Sequence, residues 1–106
     1  MAMIKYEISV EIHPDIFDEY MVWLNTHVGK LLDIEGFLKA EVLTCIETEP
    51  VSWKKIKVDY YVKNYLAYQS YLEHHAAAMR SEVPDDFKGL YSIERKIYEI
   101  SQVINP

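Results

Sequence analysis

The chain is short of the residues on which whole classes of protein depend. It carries one cysteine, Cys45, in 106 residues. No internal disulfide can form, and the expected role is a small buried hydrophobe in a reducing compartment rather than a nucleophile. Three glycines, at positions 29, 36 and 89, are too scattered for a phosphate-cradling loop. No nucleophile elbow, Cys-x-x-Cys or His-Glu-x-x-His sequence occurs either, which excludes the large nucleotide-dependent enzyme classes. No apolar run reaches membrane-spanning length and no signal-peptide layout precedes the first strand, so the expected setting is cytoplasmic, without a membrane partner. Basic side chains number 11 against 17 acidic ones, a formal charge of −6. Nonspecific attraction to nucleic acid is therefore not expected.

What is present is regular patterning. Ile4, Tyr6, Ile8, Val10 and Ile12 alternate with Lys5, Glu7, Ser9 and Glu11, the period of a strand with one apolar face. His13-Pro14-Asp15 ends that strand and opens a helix running to about Ile34 and closing at Gly36, with Phe17, Tyr20, Leu24, Val28 and Leu31 on one stripe bordered by Trp23 and His27. Alternation returns over Phe37–Glu47, where Leu38, Ala40, Val42, Thr44 and Ile46 are expected to meet the helices. After a turn at Glu47-Thr48-Glu49-Pro50, a third strand spans Trp53–Val62 with Ile56, Val58, Tyr60 and Val62 inward. Asn64 caps a second helix whose inward stripe is expected to be Tyr68, Leu72, His75 and Met79. The last strand lies within Tyr91–Val103, where the spacing of Ile93, Ile97 and Ile100 suggests a bulge.

This β-α-β-β-α-β order predicts one α+β domain over residues 1–106, a ferredoxin-like sandwich with a four-stranded antiparallel sheet and two helices on one face. The other face has no cover within one chain. Lys39, Glu41, Leu43, Lys57, Asp59 and Tyr61 fall on it, a mixture that suits a partly polar homodimer interface. The charges there are balanced in sign, which favours an interface network over a pair of acid–base carboxylates.

His27 and His75 are the candidate catalytic residues, since each falls on the stripe of its own helix and could act as a general base or axial ligand. The competing reading is a pair of satisfied core histidines. No third ligand stands at a metal-binding spacing, and His74 points about 100° away from His75 around the helix. Neither a metal nor a cofactor is expected. The aromatics are numerous, and Trp23, Tyr60 and Tyr68 with the two histidines could wall an apolar pocket between helices and sheet for a small, flat ligand, or could simply fill the core.

The first strand, the segment Trp23-Leu24-Asn25-Thr26-His27-Val28 leading to Gly36-Phe37, the run Tyr71-Leu72-Glu73-His74-His75-Ala76 with Arg80, and Glu94-Arg95-Lys96-Ile97-Tyr98 together resemble domain-of-unknown-function family 4286 across nearly the whole chain. That resemblance implies the dimeric α/β-barrel group, in which two ferredoxin-like subunits pack sheet to sheet. Its broader relatives include cofactor-independent monooxygenases and haem-degrading enzymes. The family assigns no catalytic residues. Three functional readings stand at this point: a homodimeric binder of a small molecule, a cofactor-independent monooxygenase-like or haem-related enzyme, and a non-catalytic dimeric interaction module.

Overall fold

The structure, a computed structural model, describes residues 2–47, 49 and 52–106. Strand β1 (Ile4–Ile12) buries Ile4, Tyr6, Val10 and Ile12, as its alternation requires. A 3-10 turn over Pro14–Ile16 follows, in which His13 Nδ1 accepts a hydrogen bond from the Asp15 amide at 3.0 Å. Helix α1 (Phe17–Leu32) begins behind this turn, with Asp18 and Glu19 in its first turn and Lys30 in its last, each complementing the helix dipole. Its buried residues are Tyr20, Leu24, Val28 and Leu31. Strands β2 (Phe37–Thr44) and β3 (Lys54–Val62) form an antiparallel pair. Part of the turn expected between them, Thr48 and Pro50, lies outside the described residues.

Asn64 caps helix α2 (Tyr65–His74), its Oδ1 accepting from the Ala67 amide at 2.9 Å. The short helix α3 (Ala76–Arg80) continues it, and β4 (Tyr91–Glu99) completes a sheet of order β2-β3-β1-β4. All pairings are antiparallel. The apolar rows of β1 and β3 share one core with the α1 stripe, Tyr71 and Ala76. The architecture is the expected ferredoxin-like one. No helix among the described residues is long and apolar enough to cross a membrane.

Three local expectations fail. In β2, Phe37 pairs with Val62 and Lys39 with Tyr61, so Leu38 is an extra residue in the strand. This bulge turns Phe37 onto the helix side at 7% exposure and leaves Leu38 53% exposed. Ile46, beyond the end of the strand, is 92% exposed and meets no helix. In β4 no bulge occurs, for its pairing with β1 is continuous from Ile4↔Glu99 to Ile12↔Tyr91. Ile93 and Ile97 keep one period, with Arg95 between them, and Ile100 lies past the strand.

The third correction concerns the second helix. His75 interrupts it at φ −130°, ψ −30°, which separates α2 from α3 and changes the rotational phase. Tyr71 and Ala76 are buried instead, while Leu72 and His75 are exposed. The stripe of α2 runs through Ala67, Tyr68 and Tyr71, and it excludes His75.

Candidate functional site

The helix layer and the sheet do not meet evenly. Along β4 the row that shares the helix side is Tyr91, Ile93, Arg95, Ile97 and Glu99, since these pair with the inward row of β1. The helices leave much of this row open: Ile93 is 36% and Ile97 37% exposed, and Arg95 is exposed. A crevice leads inward from here between α1, the second helical segment and the sheet, lined among others by Tyr6, Tyr20, Trp23, Leu24, His27, Tyr60, Tyr71, Arg80 and Arg95. Its enclosed space is about 40 Å³, on the scale of a single water. The expected cavity touched by both histidines is not formed, because His75 lies outside the stripe and aromatic side chains fill the interior.

Of the residues proposed from the sequence, the structure brings Trp23, His27 and Tyr60 to the crevice. Trp23 and His27, one helical turn apart on α1, stack with ring centroids 4.6 Å apart at 22°. Tyr60 is at the floor, 5.8 Å from the ring of Tyr6. Tyr68 sits beside Tyr6 at 5.2 Å, half-buried. Burial pushes the Tyr20 phenol up to about 12 and raises Tyr60 and Tyr71 as well. All three are protonated at neutral pH and can donate hydrogen bonds, but none is a base.

Sequence reasoning missed Tyr6, Arg80, Glu82 and Arg95. Arg80 is the last residue of α3, and its Nη2 donates to the Tyr6 hydroxyl at 3.3 Å. A signal for Arg95 exists in retrospect, since counting by two from Tyr91 places it in the row of Ile93 and Ile97.

His27 is largely withdrawn from solvent, and burial lowers its pKa, with Lys30 adding to the shift and the negative charge of Glu82 opposing it. Its Nδ1 is 3.8 Å from Glu82 Oε1, too long for a hydrogen bond. That nitrogen is buried and has no hydrogen-bond partner among the described residues. Glu82 Oε1 instead accepts from Lys30 Nζ at 3.0 Å, which holds the carboxyl below its ordinary value. The folded state therefore binds a proton at His27 less readily than the unfolded chain does. His27 opposes folding once pH falls below the unfolded histidine value of about 6.5, and this cost is absent at higher pH. Imidazole NMR should show His27 titrating below free histidine, with His27→Gln reducing the acid-side loss of stability. A His27 resonance that titrates at or above the free value contradicts this arrangement.

The sheet's other face holds the six residues expected at an interface. They form three adjacent cross-strand pairs, Lys39↔Tyr61, Glu41↔Asp59 and Leu43↔Lys57. The Tyr61 hydroxyl donates to Glu41 Oε1 at 2.7 Å, and Lys39 Nζ lies 4.5 Å from the Tyr61 ring centre. Lys57 Nζ is 3.6 Å from Glu7. Asp59 stands between Glu41 and Glu7 in register, so three carboxylates lie in one row. It is buried although no element covers this face, and its Oδ1 has no hydrogen-bond partner among the described residues, while Lys5 Nζ is 3.7 Å from Oδ2. Burial raises the Asp59 pKa, partly offset by Lys5. Beside this cluster the face is hollow, with about 740 Å³ of open space bordered by Ser9, Glu11, Leu43, Cys45, Lys55 and Lys57. Cys45 lies exposed there within one chain, on the side its alternation with Leu43 gives it but without the burial expected of it. No group of three or more His, Cys, Asp or Glu among the described residues could hold a metal ion.

One protein family, described as a domain of unknown function (DUF4286), matches residues 3–101. Among curated proteins, none matches the chain. Solved structures share the fold at low identity. The heme-degrader MhuD from Mycobacterium tuberculosis, solved with two hemes in its active site, is 13% identical with a TM-score of 0.73, covering 96% of this chain and 99% of its own. SnoaB, a cofactor-independent oxygenase from Streptomyces nogalater, is 14% identical with a TM-score of 0.70 and full coverage of both chains, 100% and 100%. A dimeric ferredoxin-like protein from an uncultured marine organism is 5% identical with a TM-score of 0.71, covering 98% of this chain and 100% of its own. At these identities the likeness establishes the fold and leaves the chemistry to the residues.

Proposed function

We propose, on the premise that the chain belongs to the DUF4286 family, that it is a homodimer binding a small, largely apolar molecule on the helix side of the sheet. The observation that carries this reading is the uncovered inward row of β4: Ile93 and Ile97 remain more than a third exposed, while in the matching rows of β1 and β3 every apolar residue but the partly buried Ile8 is almost fully buried. A ligand laid over that row completes the helix layer and meets Trp23 and His27 at the mouth of the crevice. The closed interior does not receive it. Tyr60, buried at the crevice floor, supports the site from beneath, Tyr68 flanks it beside Tyr6, and His75 is left out.

The homodimer is proposed through Lys39, Glu41, Leu43, Lys57, Asp59 and Tyr61. A facing sheet would bring donors to the unpartnered Oδ1 of Asp59 and would close the hollow beside it. A neighbour with the same fold is described as dimeric, which supports a homodimer. An oxygenase-like or haem-related activity rests on the fold of SnoaB and MhuD alone, so binding ranks ahead of it.

The test has two arms. Light scattering should return twice the chain mass of 12.5 kDa, and Lys57→Glu, which loses the pairing with Glu7, should weaken association by about tenfold or more. The neutral fluorophore N-phenyl-1-naphthylamine should bind saturably, and Trp23→Ala should reduce its affinity. A strict monomer removes the interface, and no saturable uptake of the probe leaves the non-catalytic module.

A further inference from the structure

We infer that the ligand of this crevice carries an anionic group, a carboxylate or sulfonate, held by Arg80 and Arg95. The inference rests on the binding reading above and adds to it the charge of the ligand. The chain has 17 acidic residues and only two arginines, and both arginines line the same crevice. They reach it from different parts of the fold. Arg80 ends α3, whereas Arg95 lies in the middle of β4 opposite Ile8.

Neither arginine has a carboxylate within ion-pair distance among the described residues, although Lys5, Lys30, Lys55, Lys57, Lys63 and Lys96 all do. Among the described residues Arg80 has one polar contact, the Tyr6 hydroxyl at 3.3 Å, and that leaves most of its donors unused. Arg95 interrupts an otherwise apolar run between Ile93 and Ile97, a place where the sheet's own packing calls for an apolar side chain. It lines the crevice together with Tyr20 and His27 of α1 and Tyr71 of α2, so it stands between the two helices there.

A planar guanidinium pair beside stacked aromatic rings is suited to a flat organic anion. The fork geometry of arginine binds a carboxylate or sulfonate through paired N–H donors. Trp23, Ile93 and Ile97 meet the apolar body of such a molecule. The buried, unpartnered Nδ1 of His27 offers a further polar contact to it.

Two probes separate this inference from the reading beneath it. 8-Anilinonaphthalene-1-sulfonate and N-phenyl-1-naphthylamine share their aromatic body and differ by the sulfonate. The intact chain should bind the sulfonate at least tenfold more tightly, and added salt should narrow the gap. Arg95→Gln and Arg80→Gln should each weaken the sulfonate about five- to tenfold and leave the neutral probe within twofold, while Arg95→Lys recovers part of the loss. Because Arg80→Gln also removes the contact with Tyr6, Arg95→Gln is the cleaner variant, and thermal melts confirm that both are folded. Lys55→Gln, which borders the hollow on the opposite face, should change neither probe. Equal affinity for the two probes, or loss on Lys55→Gln in place of the arginine variants, overturns the anion assignment while leaving the binding reading intact. If neither probe binds, both ideas fail.

Discussion

Gly36→Ala should cost the fold about 3 kcal/mol and lower its melting temperature by about 10–20 °C. Two effects add at this position. Gly36 closes the turn between α1 and β2 at φ +92°, a conformation that residues with a β-carbon adopt only under strain. A β-carbon built there would also lie 2.5 Å from Cβ of Ala67, well inside contact distance. Ala67 is in the first turn of α2, its amide held by the Asn64 cap, so the helix cannot drift away freely. The Gly36 carbonyl meanwhile accepts from the Lys63 amide at 2.8 Å, which ties the turn to the end of β3. Relief in either direction breaks something. The double variant Gly36→Ala with Ala67→Gly should recover part of the loss by removing the overlap, but not the strain of the positive φ or the helix cost of the new glycine. Thermal unfolding followed by circular dichroism measures both. A single variant melting within about 2 °C of the parent chain would falsify the close approach.

Gly36 also marks how far the sequence can be read. A glycine at the end of a helical stripe is a closing signal with a local cause, and α1 ends at Leu32, four residues before it. Its contact with Ala67 is not local, since the two residues meet only when α2 is laid against the α1–β2 turn. The same division runs through the rest of the chain. The alternation of β1, the stripe of α1 and the Asn64 cap are each written in a few neighbouring residues, and the structure follows them. Leu38 fails because a bulge depends on how β2 registers against β3. No pattern within β2 distinguishes the two positions, as Phe37 and Leu38 are both apolar. His75 fails because a helix interruption of one residue moves every later side chain around the axis, so counting threes and fours across it gives the wrong face.

The candidate site was legible in the same uneven way. Trp23 and His27 could be placed because they border a stripe on one regular helix. Arg95 was obscured by the isoleucine spacing, which Ile100 upset by lying beyond the strand. Asp59 reads as an ordinary polar-face residue, and its burial comes from neighbours on both adjacent strands, Glu41 and Glu7 among them. Crowding of that kind is a property of the assembled sheet.

Leu24→Ala should destabilise the chain by about 3 kcal/mol, within the usual span for a buried leucine of roughly 2–5 kcal/mol. Leu24 is at the centre of the α1 stripe, almost fully buried, and its side chain forms part of the crevice wall beside Trp23 and His27. Val22, two residues earlier and 72% exposed, supplies the comparison on the same helix. Val22→Ala should change stability by less than about 0.5 kcal/mol. Equal effects of the two substitutions would reverse the facing of α1 and take the crevice with it. The functional consequence is separate from the stability loss. Three carbon atoms removed from the wall deepen a space that now amounts to about 40 Å³, and an apolar group can enter a void of that lining. If the ligand rests over Ile93 and Ile97 beside Trp23, the space opened by Leu24→Ala adjoins it, and the variant should bind N-phenyl-1-naphthylamine more tightly at temperatures where it is folded. If the probe binds elsewhere, on the hollow of the opposite face, its affinity should not respond to Leu24 at all. Denaturant unfolding and probe titration of the same preparation therefore test one wall twice, first as packing and then as the boundary of a binding site.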